Sequence, residues 1–261
     1  MKIVLVTGGT SGIGLACCRA FAQKGYKVYS MSRRPNPVLS SAIQLSVDIT
    51  NETAVIEAVN QIINKESRID ILVNNAGFGI SGAIENTSLV DAKKQFEVNF
   101  FGTFIVTKAV IPNMRKIGGG AIINISSVAA DVPIPFQAFY SASKAAINSF
   151  TMSLANELAP FNIKVKAVMP GDVNTGFTAA RDKNMIGSDV YSSLKKSVET
   201  MEKDEQNGMR PEEIAKEVVK VAEAKSQKPF STVGPQYKAV LLASRILPKG
   251  FCNKIVGKLY M

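Results

Sequence analysis

A tyrosine and a lysine in the middle of the chain could carry acid–base chemistry. The 261 residues include no histidine, so the commonest general base of enzymes and the usual zinc ligand are both absent. Tyr140 and Lys144 stand four residues apart in the segment FYSASKAA, a spacing that places both on one face of a helix. Free tyrosine has a pKa of about 10. A neighbouring ammonium group should lower that pKa and favour the tyrosinate that accepts a proton.

The spacing alone is weak evidence, because Tyr191 and Lys195 repeat it. Context separates the two pairs. Ser127 precedes Tyr140 and follows the apolar run 121–125, and ligands of parallel sheets bind where such strands end. We therefore predict that Tyr140, activated by Lys144, transfers the proton, and that Tyr191 does not.

A glycine-rich turn near the start of the chain could bind a pyrophosphate. The sequence TGGTSGIG occupies residues 7–14, directly after an apolar run and before a helical pattern. Such a turn lets the backbone approach the phosphates, whose charge then lies on the free amides of the helix N-terminus. A tight turn with no ligand can use the same glycines. We expect cofactor contacts at Gly8, Thr10, Ser11, Gly12, Ile13 and Gly14.

Two arginines at the end of the second apolar run bear on which dinucleotide binds. A NAD site usually has a carboxylate there for the ribose diol, whereas an arginine accommodates a 2′-phosphate. Arg33 and Arg34 stand there without an acid, which favours NADP, as NADPH, although a solvated turn would look the same. Asp48, next to Ile49, follows the third run, where it could contact the adenine amino group or cap the next helix.

Short apolar runs alternate with helical patterns along most of the chain. We predict strands at 2–6, 27–31, 43–47, 70–73, 121–125, 163–168 and 231–233, and helices at 54–65, 138–158, 190–201 and 212–224. Strands that are apolar throughout and alternate with helices predict an α/β fold with a doubly wound, Rossmann-like parallel sheet. Residues 1–261 should form a single domain, with an excursion above the sheet at 171–208. The three cysteines suggest neither a disulfide framework nor a metal site.

Six motifs together resemble the short-chain dehydrogenase/reductase family. They are TGGTSGIG, NNAG at 74–77, Asn99, the NISS stretch ending at Ser127, YSASK at 140–144 and PGDVNT at 170–175. The resemblance covers residues 2 to about 175 and implies an oxidoreductase that interconverts a carbonyl and an alcohol with a nicotinamide cofactor. Asp172 departs from the family pattern, and the resemblance gives it no role.

The same resemblance implies roles for individual residues. Ser127 would bond the substrate oxygen, Lys144 would also hold the nicotinamide ribose, and Asn99 would position a water in a proton relay. Asn74 is assigned to the scaffold, and helix 138–158 to the interface of a homodimer or homotetramer. Further cofactor contacts fall on Tyr140, Lys144, Asn75, Ala76, Gly77, Pro170, Gly171, Val173 and Thr175.

The net charge of +10 is concentrated in the last part of the chain. Residues 224–261 contain seven Lys or Arg and no acid, and in segment 236–261 large apolar residues alternate with the cations. This pattern suits an anionic membrane surface or a lid over a lipid-like substrate. A packing helix with a solvated basic face is the alternative. We expect no nucleic-acid partner, because no reader motif occurs. With no apolar stretch of transmembrane length, the expected location is the cytoplasm, with contact at a membrane surface as a variant.

The segment 231–251 also resembles the C-terminal part of hydroxysteroid and retinol dehydrogenases. This favours a small apolar carbonyl or alcohol substrate such as a steroid, retinoid or lipid. A 3-oxoacyl or sugar-level carbonyl reductase would share every catalytic residue and is the alternative. A non-catalytic NADP-binding regulator would need only the phosphate loop.

Overall fold

The protein is built on a seven-stranded parallel sheet. The computed structural model describes residues 1–226 and 228–261. The strands are β1 (Ile3–Thr7), β2 (Lys27–Ser32), β3 (Ile43–Ser46), β4 (Ile71–Asn74), β5 (Ile80–Ser81), β6 (Gly120–Ile125), β7 (Ile163–Met169), β8 (Asp182–Lys183) and β9 (Phe230–Thr232). The main sheet has the order β3-β2-β1-β4-β6-β7-β9, and β5 pairs separately with β8. The predicted doubly wound fold in a single domain is confirmed.

Helices cover both faces of the sheet and its carboxyl edge. They are α1 (Gly12–Gln23), α2 (Glu52–Glu66), α3 (Leu89–Phe96), α4 (Thr103–Lys116), α5 (Ala138–Leu158), α6 (Phe177–Ala180), α7 (Leu194–Gln206), α8 (Pro211–Glu223), α9 (Pro235–Ile246) and α10 (Lys249–Tyr260). A π-helical turn, Glu97–Gly102, joins α3 to α4. Within the described residues, no helix combines the length and apolar composition needed to cross a bilayer.

Each face of the sheet has its own hydrophobic core. On one face Phe21 of α1 and Val218 of α8 pack against Val4 and Val6 of β1. On the other, residues of α2, α4 and α5 pack against Leu5 and its neighbours. Successive strand residues point to opposite faces, so a strand covered on both sides is apolar throughout, as β1 is (IVLVT).

The order of the strands reverses between β1 and β4. The chain runs outward from β1 through β2 to β3, then returns to the other side of β1 as β4 and continues through β6 and β7. Loops at the carboxyl ends of β1 and β4 therefore diverge and leave a crevice, the usual ligand position in such folds. The loop 8–14 and residues 75–77 border this crevice.

The segments expected above the sheet form a second, smaller core. Leu194, Val198 and Met201 of α7 pack with Tyr260 of α10, and Leu241 of α9 packs with Val128 and Met169. The helix predicted at 190–201 begins later, at Leu194, and continues to Gln206. Its apolar periodicity is short, so its ends depend on packing against α10 rather than on its own sequence pattern.

Candidate active site

The loop after β1 has the geometry of a phosphate cradle. Gly8 and Gly12 have φ angles of 66° and 50°, in the left-handed region that glycine adopts without strain. A Cβ on Gly14 would lie 2.2 Å from the Gly8 carbonyl oxygen. The N-cap residue of α1, Ser11, makes no side-chain capping bond, and the first turn carries no acid. The first amides of α1 are therefore free for an anion, and the loop fits a dinucleotide phosphate.

The turn that contains Arg33 and Arg34 lies at one end of the crevice, where hydrogen bonds of Asn36 hold it in place. The Asn36 amide Nδ2 donates to the Thr10 carbonyl at 2.9 Å, which ties the turn to the phosphate loop. The Asn36 backbone N–H donates to Gln44 Oε1 at 2.6 Å. Arg33 and Arg34 are exposed and line the crevice. Asn36 was not among the predicted site residues, because nothing in the local sequence shows that its amide reaches back to Thr10.

Asp48, after β3, and the NNAG segment, at the end of β4, also border the crevice. Asp48 and Ile49 line it, and Asp48 Oδ1 also accepts from the Thr50 backbone N–H at 3.0 Å. The α2 cap is instead Asn51, whose side chain accepts from Ala54 N–H. The placement of Asn74 in the scaffold agrees with its bonds from Nδ2 to Thr107 and Asn124, each of 2.9 Å.

Ser127, Tyr140 and Lys144 meet in the same crevice, beyond the phosphate loop. Ser127 is the N-cap of a short 3-10 turn directly after β6, and its Oγ accepts from Ala129 N–H at 3.0 Å. Tyr140 lies in the first turn of α5, and Lys144 lies one turn further on. Lys144 is 6% exposed, its Nζ donates to the Ile125 carbonyl at 2.8 Å, and it lies 5.7 Å from the centre of the Tyr140 ring.

Burial dominates the protonation of both groups. Desolvation raises the pKa of Tyr140 to about 12, and the Ser127 hydroxyl opposes that shift. Desolvation also lowers the pKa of Lys144 to about 8. In the protein without cofactor, burial therefore opposes the lowered tyrosine pKa expected from Lys144 and an oxidised nicotinamide, because loss of hydration penalises the tyrosinate. At neutral pH the pair holds a tyrosine proton that can be donated.

Asn99 lies next to the site, but its side-chain amide bonds the protein backbone and Ser143. It is 1% exposed, its Oδ1 accepts from Phe78 N–H at 3.1 Å, and its Nδ2 donates to the Phe78 carbonyl and to Ser143 Oγ, each at 3.1 Å. Its amide thus fixes the backbone next to Gly77. A relay role for Asn99 stays a prediction.

One cavity of about 780 Å³ joins these parts. Every predicted site residue lines it except Gly14 and Asn99, which lie behind its wall. The second pair, Tyr191 and Lys195, does not reach it: Tyr191 packs against Phe136 at 6.0 Å between ring centres, and Lys195 is exposed beside Glu199. Pro170, Gly171, Val173 and Thr175 border the cavity where β7 ends.

Further residues that were not predicted as site residues pack near Tyr140, most of them from the excursion 171–208. The Phe177 ring lies 5.7 Å from the Tyr140 ring. Behind it, the buried Arg181 side chain forms an ion pair with Glu205 and lies 5.6 Å from the Phe177 ring centre. Tyr237 of α9 donates its hydroxyl to Asp172 Oδ2 at 2.7 Å. Only the packing of distant segments creates these contacts, so no sequence spacing pointed to them.

Comparison with known proteins agrees with this geometry. The family model described as short chain dehydrogenase matches residues 2–186. The chain belongs to this family. It is therefore an oxidoreductase that acts on alcohol and carbonyl groups with a nicotinamide cofactor.

Individual relatives cover almost the whole chain. The 3-ketodihydrosphingosine reductase of Bacteroides thetaiotaomicron is 41% identical, over 94% of this chain and 92% of its own length. The crystal structure of a short-chain dehydrogenase from Streptomyces avermitilis superposes with a TM-score of 0.85 at 27% identity, covering 99% of this chain and 94% of that one.

Similar structures differ in the cofactor that they contain. The 3-ketoacyl-(acyl-carrier-protein) reductase of Brucella melitensis, complexed with NADH, has a TM-score of 0.75, 26% identity and coverage of 89% and 96% of the two chains. The structure of ElxO with NADP bound has a TM-score of 0.76, 27% identity and coverage of 91% and 99%.

The pKa of Lys144 leads to a pH prediction. Because burial lowers this pKa to about 8, the side chain is cationic below pH 8 and loses its charge above it. Since Tyr140 keeps its proton up to about pH 12, the fall in kcat/KM for carbonyl reduction above about pH 8 should belong to Lys144. The measurement is a pH profile of initial rates from pH 6 to 10. In Lys144→Arg, which stays charged, the fall should disappear, and a profile that is flat in the parent would refute the assignment.

Proposed function

We propose that the protein is an NADPH-dependent reductase of a ketone on a long-chain lipid. The observation that carries the proposal is the cavity itself: it has Ser127, Tyr140 and Lys144 at its centre, a phosphate cradle at one end and an apolar wall at the other. The 41% identical relative, named as a reductase of 3-ketodihydrosphingosine, favours a lipid ketone over the steroid and retinoid substrates also compatible with the sequence. The intact Ser127, Tyr140 and Lys144 argue against a cofactor-binding regulator without catalysis.

The chain's own residues would supply the proton and the orientation. Bound NADPH supplies hydride chemistry at the substrate carbon. The Tyr140 hydroxyl donates its proton to the carbonyl oxygen, which the Ser127 hydroxyl also bonds and thereby orients. Lys144 holds the nicotinamide ribose and, as a cation, stabilises the tyrosinate left after proton transfer. The Phe177 ring excludes water above Tyr140, which strengthens each of these interactions.

The C-terminal helices would hold the alkyl chain of the substrate. Val240 of α9, Leu247 directly after α9, and Ile255, Val256 and Leu259 of α10 line the cavity. Burial of each methylene contributes about 0.8 kcal/mol. A pocket built in this way should therefore discriminate strongly between long and short ketones.

The test of the proposed function is NADPH oxidation with a long-chain 3-ketone. We expect the KM to fall steeply as the alkyl chain is lengthened. Tyr140→Phe should reduce turnover by roughly 100-fold or more, since it removes a positioned acid, while NADPH binding stays within a few-fold. Tyr191→Phe is the matched control and should retain turnover. If Tyr140→Phe kept its turnover, or if short polar ketones were the best substrates, the proposal would fail.

The preference for NADPH would rest on Arg33, with Arg34 beside it. Both are exposed at the turn that Asn36 fastens to the phosphate loop, and no carboxylate stands at the end of β2. A guanidinium group forms bidentate, charge-assisted bonds with a phosphate. Neither the ribose diol of NADH nor its adenine offers such a contact.

Replacing Arg33 should separate the two cofactors. Arg33→Ala should weaken NADPH binding by roughly 10- to 150-fold, the value of a lost charge-assisted bond, and should leave NADH binding unchanged. The measurement is fluorescence titration of both cofactors. Arg19→Ala, on the exposed face of α1, is the matched loss of charge and should change neither. Equal losses for both cofactors, or a parent protein that binds NADH more tightly, would contradict the assignment.

We also propose that α9 and α10 contact an anionic lipid surface. Their five cations are all exposed, at Lys238, Arg245, Lys249, Lys254 and Lys258. Leu242, Ile246 and Phe251 are exposed by 59%, 73% and 52% on the same two helices. An apolar face combined with cations fits the interface of an anionic bilayer. The residues at the cavity mouth belong to the same helices, so a lipid could pass directly from the bilayer to Tyr140.

Binding to vesicles tests this contact. The protein should cosediment with phosphatidylglycerol vesicles at low salt, lose most of that binding at 0.5 M salt and ignore phosphatidylcholine vesicles. Ile246→Ser combined with Phe251→Ser should weaken vesicle binding and leave the reduction of a short ketone unchanged. Ile56→Ser, at an exposed position of α2, is the matched control. Equal binding to both vesicle types, or none to either, would refute the contact.

The interface of a homodimer or homotetramer would lie on α4 and α5. Phe104 and Met152 are exposed there by 40% and 52%, next to the edge-to-face pair of Phe100 and Phe150. Monomeric surfaces rarely keep such an apolar face in water. The molar mass in solution, measured by light scattering, tests this part of the proposal.

A further inference from the structure

Asp172 is a carboxylate in the wall of the cavity that the proposed reaction does not use. It follows Pro170 and Gly171 at the end of β7 and lines the same cavity as Ser127, Tyr140 and Lys144. One of its oxygens, Oδ2, accepts a hydrogen bond of 2.7 Å from the Tyr237 hydroxyl. Tyr237 is a neutral partner, so this bond orients the carboxylate without balancing its charge.

The other charged groups nearby leave Asp172 without a cation. Glu205 also lines the cavity, but it is occupied by the ion pair with Arg181 and by a 2.6 Å bond from Thr178 Oγ1. Asp204, from the same helix α7, and Glu205 raise the pKa of Asp172, in addition to the larger effect of burial. Among the residues that the structure describes, no Lys or Arg forms a salt bridge with Asp172.

A charged group in such a position has an energetic consequence. A carboxylate removed from water is costly unless a cation or several donors compensate it. The wall of the cavity is largely apolar, with Val128, Leu247 and Val256 among its side chains. A hydrocarbon ligand would bury Asp172 further and supply neither a hydrogen-bond donor nor a positive charge. A ligand with a positive group would balance the charge of the carboxylate.

The loop that carries Asp172 adjoins the loop that carries Ser127. The Pro170 carbonyl accepts a 2.9 Å bond from the backbone N–H of Val128, the residue after Ser127. The loop that carries Asp172 is thereby joined to the loop that carries Ser127. Asp172 is one of the charges that raise the pKa of Tyr140. A positive group bound by Asp172 would lie near the carbonyl held by Ser127 and Tyr140, at the polar end of the lipid rather than along its chain.

We propose that Asp172 binds a protonated amino group that the substrate carries next to the carbonyl being reduced. This inference rests on the proposed function and narrows its substrate to a long-chain amino ketone. Tyr237 is then a positioning residue, because its hydroxyl holds the carboxylate from α9.

The experiment compares two ketones of equal chain length with NADPH as the reductant. One carries a free 2-amino group, and the other carries the same nitrogen as an uncharged acetamide. The parent should reduce the amino ketone with the higher kcat/KM. Asp172→Asn keeps an oxygen for the Tyr237 bond and removes only the charge. It should lower kcat/KM for the amino ketone by roughly 10- to 150-fold, the value of a lost charge-assisted bond, and change kcat/KM for the acetamide less than 3-fold.

A second measurement avoids turnover altogether. Dodecylamine should inhibit the parent competitively and more strongly than dodecanol, and Asp172→Asn should abolish that difference. Tyr237→Phe removes the hydrogen bond but keeps the charge, so it should reduce the preference for the amine only partly. Asp189→Asn, an exposed acid outside the wall of this cavity, is the matched control and should keep the parent's preference.

The outcomes separate this inference from the proposed function. Reduction of both ketones with equal efficiency by parent and Asp172→Asn would overturn the role of Asp172 and leave the lipid reductase standing. Equal losses for both ketones in Asp172→Asn would assign Asp172 to folding of the α9 contact and likewise overturn the inference. Failure of the parent to reduce either ketone, with dodecylamine and dodecanol equal as ligands, would refute both.

Discussion

The joint between β1 and β4 is the contact on which the whole site depends. The Thr7 hydroxyl accepts from the backbone amides of Asn75 and Ala76 at 3.0 and 3.1 Å. The Asn75 side chain donates in turn to the carbonyls of Thr7 and Gly8. These bonds join the carboxyl ends of β1 and β4, where the strand order reverses. The crevice therefore begins beyond these bonds. These bonds hold the phosphate loop next to the NNAG segment.

Desolvation on the other side of this crevice determines the protonation of Tyr140 and Lys144 in the protein without cofactor. Burial favours the neutral form of both groups, which raises the pKa of Tyr140 and lowers that of Lys144. The site by itself is thus arranged as a proton donor with a lysine near the middle of its titration. A cofactor and a substrate that bring further charge into this space would shift both pKa values, so the protonation of the pair is coupled to what the cavity holds.

The parts of the fold set by local patterns could be predicted from the sequence. The strand at 163–168 corresponds to β7, and helix 138–158 has the bounds of α5, because buried parallel strands and amphipathic helices have clear periods. The excursion could not be predicted in this way. β5 and β8 have two residues each, too few for a period, and they pair across about a hundred residues of chain. The effect of burial on the pKa of Tyr140 could not be predicted for a related reason, since Phe177 packs on Tyr140 only in the folded chain.

The Tyr237–Asp172 bond joins the cavity wall at the end of β7 to the C-terminal segment. Gly171 has no side chain, and a Cβ there would lie 2.1 Å from the Tyr237 ring, so the ring rests directly on the backbone at the end of β7. From this anchor α9 continues to the cavity mouth, where Val240 and Leu247 face both the cavity and solvent. The position of the apolar wall and that of the Asp172 carboxylate are therefore linked, because Tyr237 of α9 packs on Gly171 and bonds Asp172.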